Sequence, residues 1–126
     1  MKYEYKLEKE IMCPIEYGLG IFGGKWKSRI ICVLSAKSSM RYTEIKKELS
    51  NITDAVLAAM LKEMLTDGII ERIQYNEIPL RVEYSLTEKG KSVLPILQGI
   101  CAWSRKNTEE DLDKKLPACQ SCPQLY

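Results

Sequence analysis

The sequence predicts a mainly α-helical domain that carries one small antiparallel β-hairpin, and three observations carry that prediction. Apolar residues recur at helical spacing through several stretches between residues 15 and 106. Two segments, 69–75 and 82–86, instead alternate apolar and polar at the period of two that belongs to strands. The breaks between stretches fall at Gly23-Gly24, Ser50-Asn51-Ile52 and Asp67-Gly68, residues that stop one element and start another.

A chain of 126 residues holds one domain with a real core. That domain is expected over 13–106, preceded by a polar arm (1–12) and followed by a tail of different composition (107–126). The chain is 45% hydrophobic and 29% charged, and no apolar run approaches the roughly 20 residues that span a bilayer. The first twelve residues lack an apolar export signal, so the protein is expected in the cytoplasm and away from membranes. It contains no histidine, which removes imidazole bases, Cys–His nucleophiles and His-ligated metals. Neither enzymatic activity nor a cofactor is expected. Net charge is only +2, but residues 25–62 carry eight Lys or Arg against three acids. Extending that window to Asp67 lowers its charge from +5 to +3, so the basic block is local.

Cys13-Pro14 opens the first helix, which runs over 15–22, because proline at a first helical position gives up an N–H that would be unpaired anyway. Cys13 then sits at the N-cap, where unpaired amides and the helix dipole favour a thiolate. The second helix, 25–34, is expected to turn Trp26, Ile30, Val33 and Leu34 inward, with Cys32 in the same apolar surroundings. Residues 36–40 read as a polar turn. A short helix follows over 41–49, with Tyr42, Ile45 and Leu49 apolar and Lys46 and Lys47 projecting outward.

Residues 53–65, TDAVLAAMLKEML, form the helix around which the chain is organised. Thr53 can cap it and Asp54 suits the positive end of its dipole. Leu57, Leu61, Met64 and Leu65 share one face, widened by Val56 and Met60. Ala55, Ala58, Ala59 and Lys62 lie opposite, a small face nearly without acid that can approach a polyanion. Two short helices joined by a three-residue turn match the helix-turn-helix, whose second helix enters the major groove of duplex DNA. On this reading Thr53, Ala55, Ala58, Ala59 and Lys62 touch DNA, while Arg41, Lys46 and Lys47 hold phosphates. The strands 69–75 and 82–86 flank a loop of five or six residues. Such a hairpin after a recognition helix is a wing, with Arg81 near its tip placed to reach a phosphate or a minor groove.

The last helix is expected from Lys91 to about Lys106, with Pro95 near its start. Its apolar residues are too many for one core-facing stripe. A helix apolar on two sides is buried on two sides, so Leu94, Leu97, Ile100, Cys101 and Trp103 are expected to meet a second copy.

At this point the chain resembles the HxlR-type branch of the MarR-like winged helix-turn-helix transcriptional regulators. The resemblance rests on CPIEYGLGIFGGKW (13–26), RYTEIKKEL (41–49), ITDAVLAAMLKEMLTDGIIER (52–72), IPLRVEYSLTEKG (78–90) and VLPIL (93–97). It implies a homodimer paired through terminal helices, with two recognition helices in successive major grooves and a wing on each flank. It also implies that Cys13 matches the N-terminal cysteine with which several such regulators sense thiol-reactive signals. The function so implied is a repressor binding double-stranded DNA and responding to oxidative or electrophile stress. One departure stands out: family members commonly place Ser/Thr, Gln/Arg and Arg-like residues where this chain has Ala58, Ala59 and Met60. Alanines touch only thymine methyls, so readout here leans on Lys62, Arg41, the wing and DNA shape.

Cys119-x-x-Cys122 in the tail admits three readings: half of a zinc site, a dithiol redox pair, or incidental cysteines. Two other functions compete with DNA regulation. A CxxC thiol oxidoreductase would turn over a disulfide substrate, and a winged-helix module that binds only protein would dimerise without DNA affinity.

Overall fold

The computed structural model describes residues 13–111. The polar arm and most of the tail, including Cys119 and Cys122, lie outside the described residues. In chain order the elements are α1 (Pro14–Phe22), α2 (Gly24–Ser35), α3 (Tyr42–Leu49), α4 (Asp54–Thr66), β1 (Ile70–Tyr75), β2 (Arg81–Leu86), α5 (Glu88–Lys91) and α6 (Leu94–Lys106). The architecture is helical with a two-stranded antiparallel hairpin, the winged helix-turn-helix expected from the sequence.

Helix α2 is the element on which the others pack. It contacts α1, α3, α4, α6 and β2. Its IICVL run explains why: Ile30 and Ile31 are wholly buried, with Val33 and Leu34 nearly so, and Cys32 packs at the margin. Each such side chain contributes about 1.5–3 kcal/mol through burial. Trp26 packs against this core from its edge. It is half-buried, flanked by the Lys25 and Arg29 cations at 4.7 and 5.2 Å from its ring. The inward position one residue later belongs to Lys27, whose Nζ meets Glu63 Oε1 of α4 at 2.6 Å and donates to the Gly20 carbonyl of α1 at 3.2 Å. Both charged side chains are about nine-tenths buried. A pair removed from water in this way is tolerated only with good geometry and further hydrogen bonds.

The break between α3 and α4 is tight. Ser50 caps α3 at φ 47°, a conformation uncommon for a residue with a Cβ, and Ile52 turns its side chain into the core. Thr53 then caps α4, its hydroxyl accepting the Val56 N–H at 3.2 Å. Inside α4, Leu57, Leu61 and Met64 are buried, and Val56, Met60 and Leu65 pack around them. Gly68 ends the approach to the hairpin at φ 72°, where glycine avoids the Cβ penalty, and Ile69 enters the core.

The hairpin register runs from Ile70 opposite Leu86 to Tyr75 opposite Arg81, leaving residues 76–80 as its loop. Met40, expected in a polar turn, is almost fully buried and pairs with the middle of β2. It exchanges backbone hydrogen bonds of 2.9 and 2.8 Å with Tyr84. One apolar residue at the end of a serine-rich turn thus helps to anchor the wing, together with Ile70 and Leu86 at the base of its strands. At the hairpin's other end Thr87 Oγ1 donates to the Gly68 carbonyl at 2.5 Å and caps α5 by accepting the Gly90 N–H at 3.1 Å. Gly90 lies so near the Ile69 carbonyl that any Cβ would collide with it.

The last helix begins at Leu94, not at Lys91. Residues 88–91 form a separate turn, and Pro95 occupies the first turn of α6, where its missing N–H costs no helical bond. Val93 and Leu97 belong to the core, with Leu94 packed against it. Leu97 is therefore filled by its own protomer and does not face outward, a correction to the expected interface. Ile96, Ile100 and Trp103 remain exposed.

Lys27→Met leaves Glu63 buried opposite an apolar side chain, and we expect a loss of about 3–5 kcal/mol in urea denaturation. The double variant Lys27→Met/Glu63→Leu should recover most of it. Equal losses in the single and double variants would show that shape, not charge pairing, sets the stability here.

Candidate nucleic-acid interface

The candidate interface is built on the outer side of α4. Thr53, Asp54, Ala55, Ala58, Ala59, Lys62 and Thr66 are all exposed, while the opposite side of the helix fills the core. The same 3.6-residue period that buries the leucines places these residues together. With methyl groups at 55, 58 and 59, the helix backbone can come close to a partner surface. Lys62 supplies the cation of this face.

Helix α3 is fastened to the start of α4 by three side chains. The Lys46 ammonium lies 3.0 Å from Asp54 Oδ1, and the Tyr42 hydroxyl donates to the same oxygen at 2.9 Å. Tyr42 and Lys46 are four residues apart, hence on one face of α3, which is how both reach a single carboxylate. The Asp54 carboxyl is held below its ordinary range, first by the hydrogen bond from Lys46 and then by that from Tyr42. Tyr42 is pushed above the usual tyrosine range by desolvation and by its bond to Asp54. Lys46 therefore does not project freely outward; it is half-buried and paired. Lys47 and Arg41 are exposed, and the Arg41 amide donates to Glu44 Oε1 at 2.9 Å to close the first turn of α3.

The wing departs further from expectation. Arg81 is engaged within the hairpin, with Glu77 at 2.7 Å, Glu83 at 3.3 Å and its guanidinium 3.9 Å from the Tyr75 ring centroid. Tyr75 is its cross-strand partner, so the stacking follows directly from the register. The tip is apolar instead of basic: Ile78 is fully exposed, and Leu80 is more than half exposed. Arg72 and Gln74 lie on the outer part of β1, joined at 3.4 Å.

Two further exposed stretches are apolar. Ile96, Ile100 and Trp103 follow one another at four and three residues on α6, and Ile15, Tyr17 and Leu19 are exposed on α1. Cys101 is half-buried beside Ile100. Cys13 is exposed at the N-cap of α1, its side chain making no capping hydrogen bond. Among the described residues no group of three potential metal ligands comes together. No described helix is long and apolar enough to cross a membrane.

Sequence reasoning missed Glu63 and Met40. The signal for Glu63 was an acid inside the leucine stripe of an amphipathic helix, a position that demands a buried cation. Met40 offered only an isolated apolar residue after a polar turn, and pairing with Tyr84 is set by tertiary structure.

Comparison with known proteins agrees with this geometry. Residues 21–112 match the model of the HxlR-like helix-turn-helix family. An HTH-type transcriptional regulator of Bacillus subtilis, YdzF, is 46% identical over 90 residues, covering 71% of this chain and 83% of its own. The crystal structure of the HTH-type transcriptional regulator ytcD superposes with a TM-score of 0.73 at 40% identity, over 76% of this chain and 97% of that one. The redox regulator HypR in its oxidized form superposes with a TM-score of 0.71 at 35% identity, over 78% of this chain and all of that one.

A carboxyl whose folded value is depressed adds stability above its ordinary range, and that stability is lost as pH falls through the folded value. Asp54→Asn should therefore lower the urea midpoint at neutral pH. The gap between variant and wild type should close as the solution is acidified through the carboxylate range. A gap that stays constant over that range would mean that the Lys46–Asp54–Tyr42 cluster does not couple α3 to α4 through charge.

Proposed function

Because the chain belongs to the HxlR-like helix-turn-helix family, we propose that it binds double-stranded DNA as a homodimer and represses transcription until a thiol-reactive signal meets Cys13. The observation that carries this reading is the outer face of α4. It is capped, exposed, nearly free of acid and small enough for close approach to a groove floor. Thr53, Ala55, Ala58, Ala59 and Lys62 make the groove contacts. Arg41 and Lys47 take phosphates directly, and Lys46 does so while bridging to Asp54. In the wing, Arg81 fixes the tip and offsets half of the charge of Glu77 and Glu83, which would otherwise repel the duplex more strongly.

The dimer is built on the apolar residues that the protomer leaves uncovered. Ile100 and Trp103, joined by Ile96 on α6 and by Ile15 and Leu19 on α1, form its centre; Leu94 and Cys101 lie at its margin. Exposed apolar groups gathered on adjoining turns mark an interaction surface. Cys13 opens α1, whose exposed apolar residues are part of this proposed surface. Oxidation there therefore changes the distance between the two copies of α4. Similarity to a redox regulator, HypR, supports the thiol step. In that step two thiols give up two electrons and two protons to an oxidant such as diamide, forming a disulfide between Cys13 and a cysteine of the second copy.

Two measurements test the reading. For duplexes selected from a random pool, the logarithm of affinity should fall linearly with the logarithm of salt concentration, with a slope of about −0.9 per phosphate neutralised. Lys46→Ala/Lys47→Ala should flatten that slope by up to about two such increments, whereas an unchanged slope removes both lysines from the interface. Separately, diamide should release DNA from the wild type and leave Cys13→Ser bound. Equal release from both proteins would exclude Cys13 as the switch.

A further inference from the structure

Between the end of α2, the base of the hairpin and the start of α6, the surface opens into a cavity of about 370 Å³. This lies within the range of ligand-sized pockets. Its floor is apolar, made by Leu34, Leu86 and Leu94. Its rim is polar and carries two ammonium groups, Lys37 from the turn after α2 and Lys91 from the end of α5, against one carboxylate, Glu71 of β1.

The charges at this rim are unequally satisfied. Glu71 accepts a hydrogen bond from Ser85 Oγ at 3.3 Å, across the register that places these two residues opposite each other. Lys91 has Glu88 at 3.6 Å, an exposed neighbour on its own turn and so a weak partner. Lys37 has no carboxylate within ion-pair distance among the described residues. The end of α2 would ordinarily disfavour an anion through its unpaired carbonyls. Here those acceptors are engaged: Val33 by the Ala36 N–H, Leu34 by the Lys37 N–H, and Cys32 by the Ser35 hydroxyl. The lining carries a net charge of +1 over an apolar floor.

We propose that this cavity binds a small amphipathic monoanion, a carboxylate held between Lys37 and Lys91 with its hydrocarbon on Leu34, Leu86 and Leu94. A neutral ligand would forgo the attraction of the two ammonium groups, and a dianion would face Glu71. The site stands apart from α4 and from Cys13, and it does not depend on the DNA-binding reading. Its occupant would touch α2, both wing strands and the start of α6 at once.

The test is a titration of the full chain with butanoate, hexanoate and octanoate, followed by NMR at the leucine methyls and the Ser85 amide. Saturable shifts confined to those groups are expected, with affinity rising about fourfold for each added methylene that reaches the floor. Octan-1-ol should bind about tenfold or more weakly than octanoate, and Lys37→Gln/Lys91→Gln should weaken octanoate by a similar factor. Both lysines are exposed, so the variant's spectrum should otherwise match that of the wild type. Shifts that do not saturate, equal affinity for the alcohol, no dependence on chain length, or unaltered binding by the variant would each overturn the proposal.

Discussion

The buried contact between Lys27 and Glu63 is the constraint on which the geometry of the candidate interface depends. It joins the central helix α2 to the inner face of α4, and through the Gly20 carbonyl it reaches α1 as well. Apolar contacts alone would allow a smooth helix some freedom to rotate or slide on its neighbour. An ion pair shielded from water does not, because displacing either partner exposes the other to an apolar surrounding at high cost. Fixing the rotation of α4 fixes which residues look outward. The exposed row of Thr53, Ala55, Ala58, Ala59 and Lys62 is the complement of that one buried acid.

The second fastening lies at the other end of α4 and differs in kind. Lys46, Tyr42 and Asp54 meet at the surface, where solvent screens them and pH alters their balance. It sets the angle between α3 and the start of α4 more softly than the buried pair sets rotation. The same carboxylate that completes the cluster stands at the edge of the face proposed to meet phosphates, with Lys46 offsetting its charge. Arg81 plays a parallel part in the wing, pairing with Glu77 and Glu83 while stacking on Tyr75. In both places a basic residue that reads in the sequence as a free phosphate ligand is spent first on an internal acid.

The exposed apolar residues divide in the same economical way between elements. On α6 one side, Val93 and Leu97, completes the protomer core, and the other, Ile96, Ile100 and Trp103, remains uncovered. On α1 only Ile21 is fully buried, and Ile15 and Leu19 stand out. These two helices lie outside the helix-turn-helix formed by α3 and α4.

The sequence by itself determined the elements and their order, apart from the separate turn at 88–91, since those follow from local rules. Period 3.6 against period 2, proline inside a first turn, a threonine cap and glycine at positive φ all act over a few residues. The exposed face of α4 was legible for the same reason. Tertiary structure decided which charges are available and where apolar residues end. That Lys27 lies inside and that Met40 joins the hairpin depend on partners 36 and 44 residues away. That Leu97 turns inward depends on neighbouring elements, and Lys46 and Arg81 are paired with acids two to eight residues away that the fold brings within reach. Periodicity reports which side of an element is apolar. It carries no information about what stands opposite, and for a charged side chain the opposite group settles whether it meets solvent.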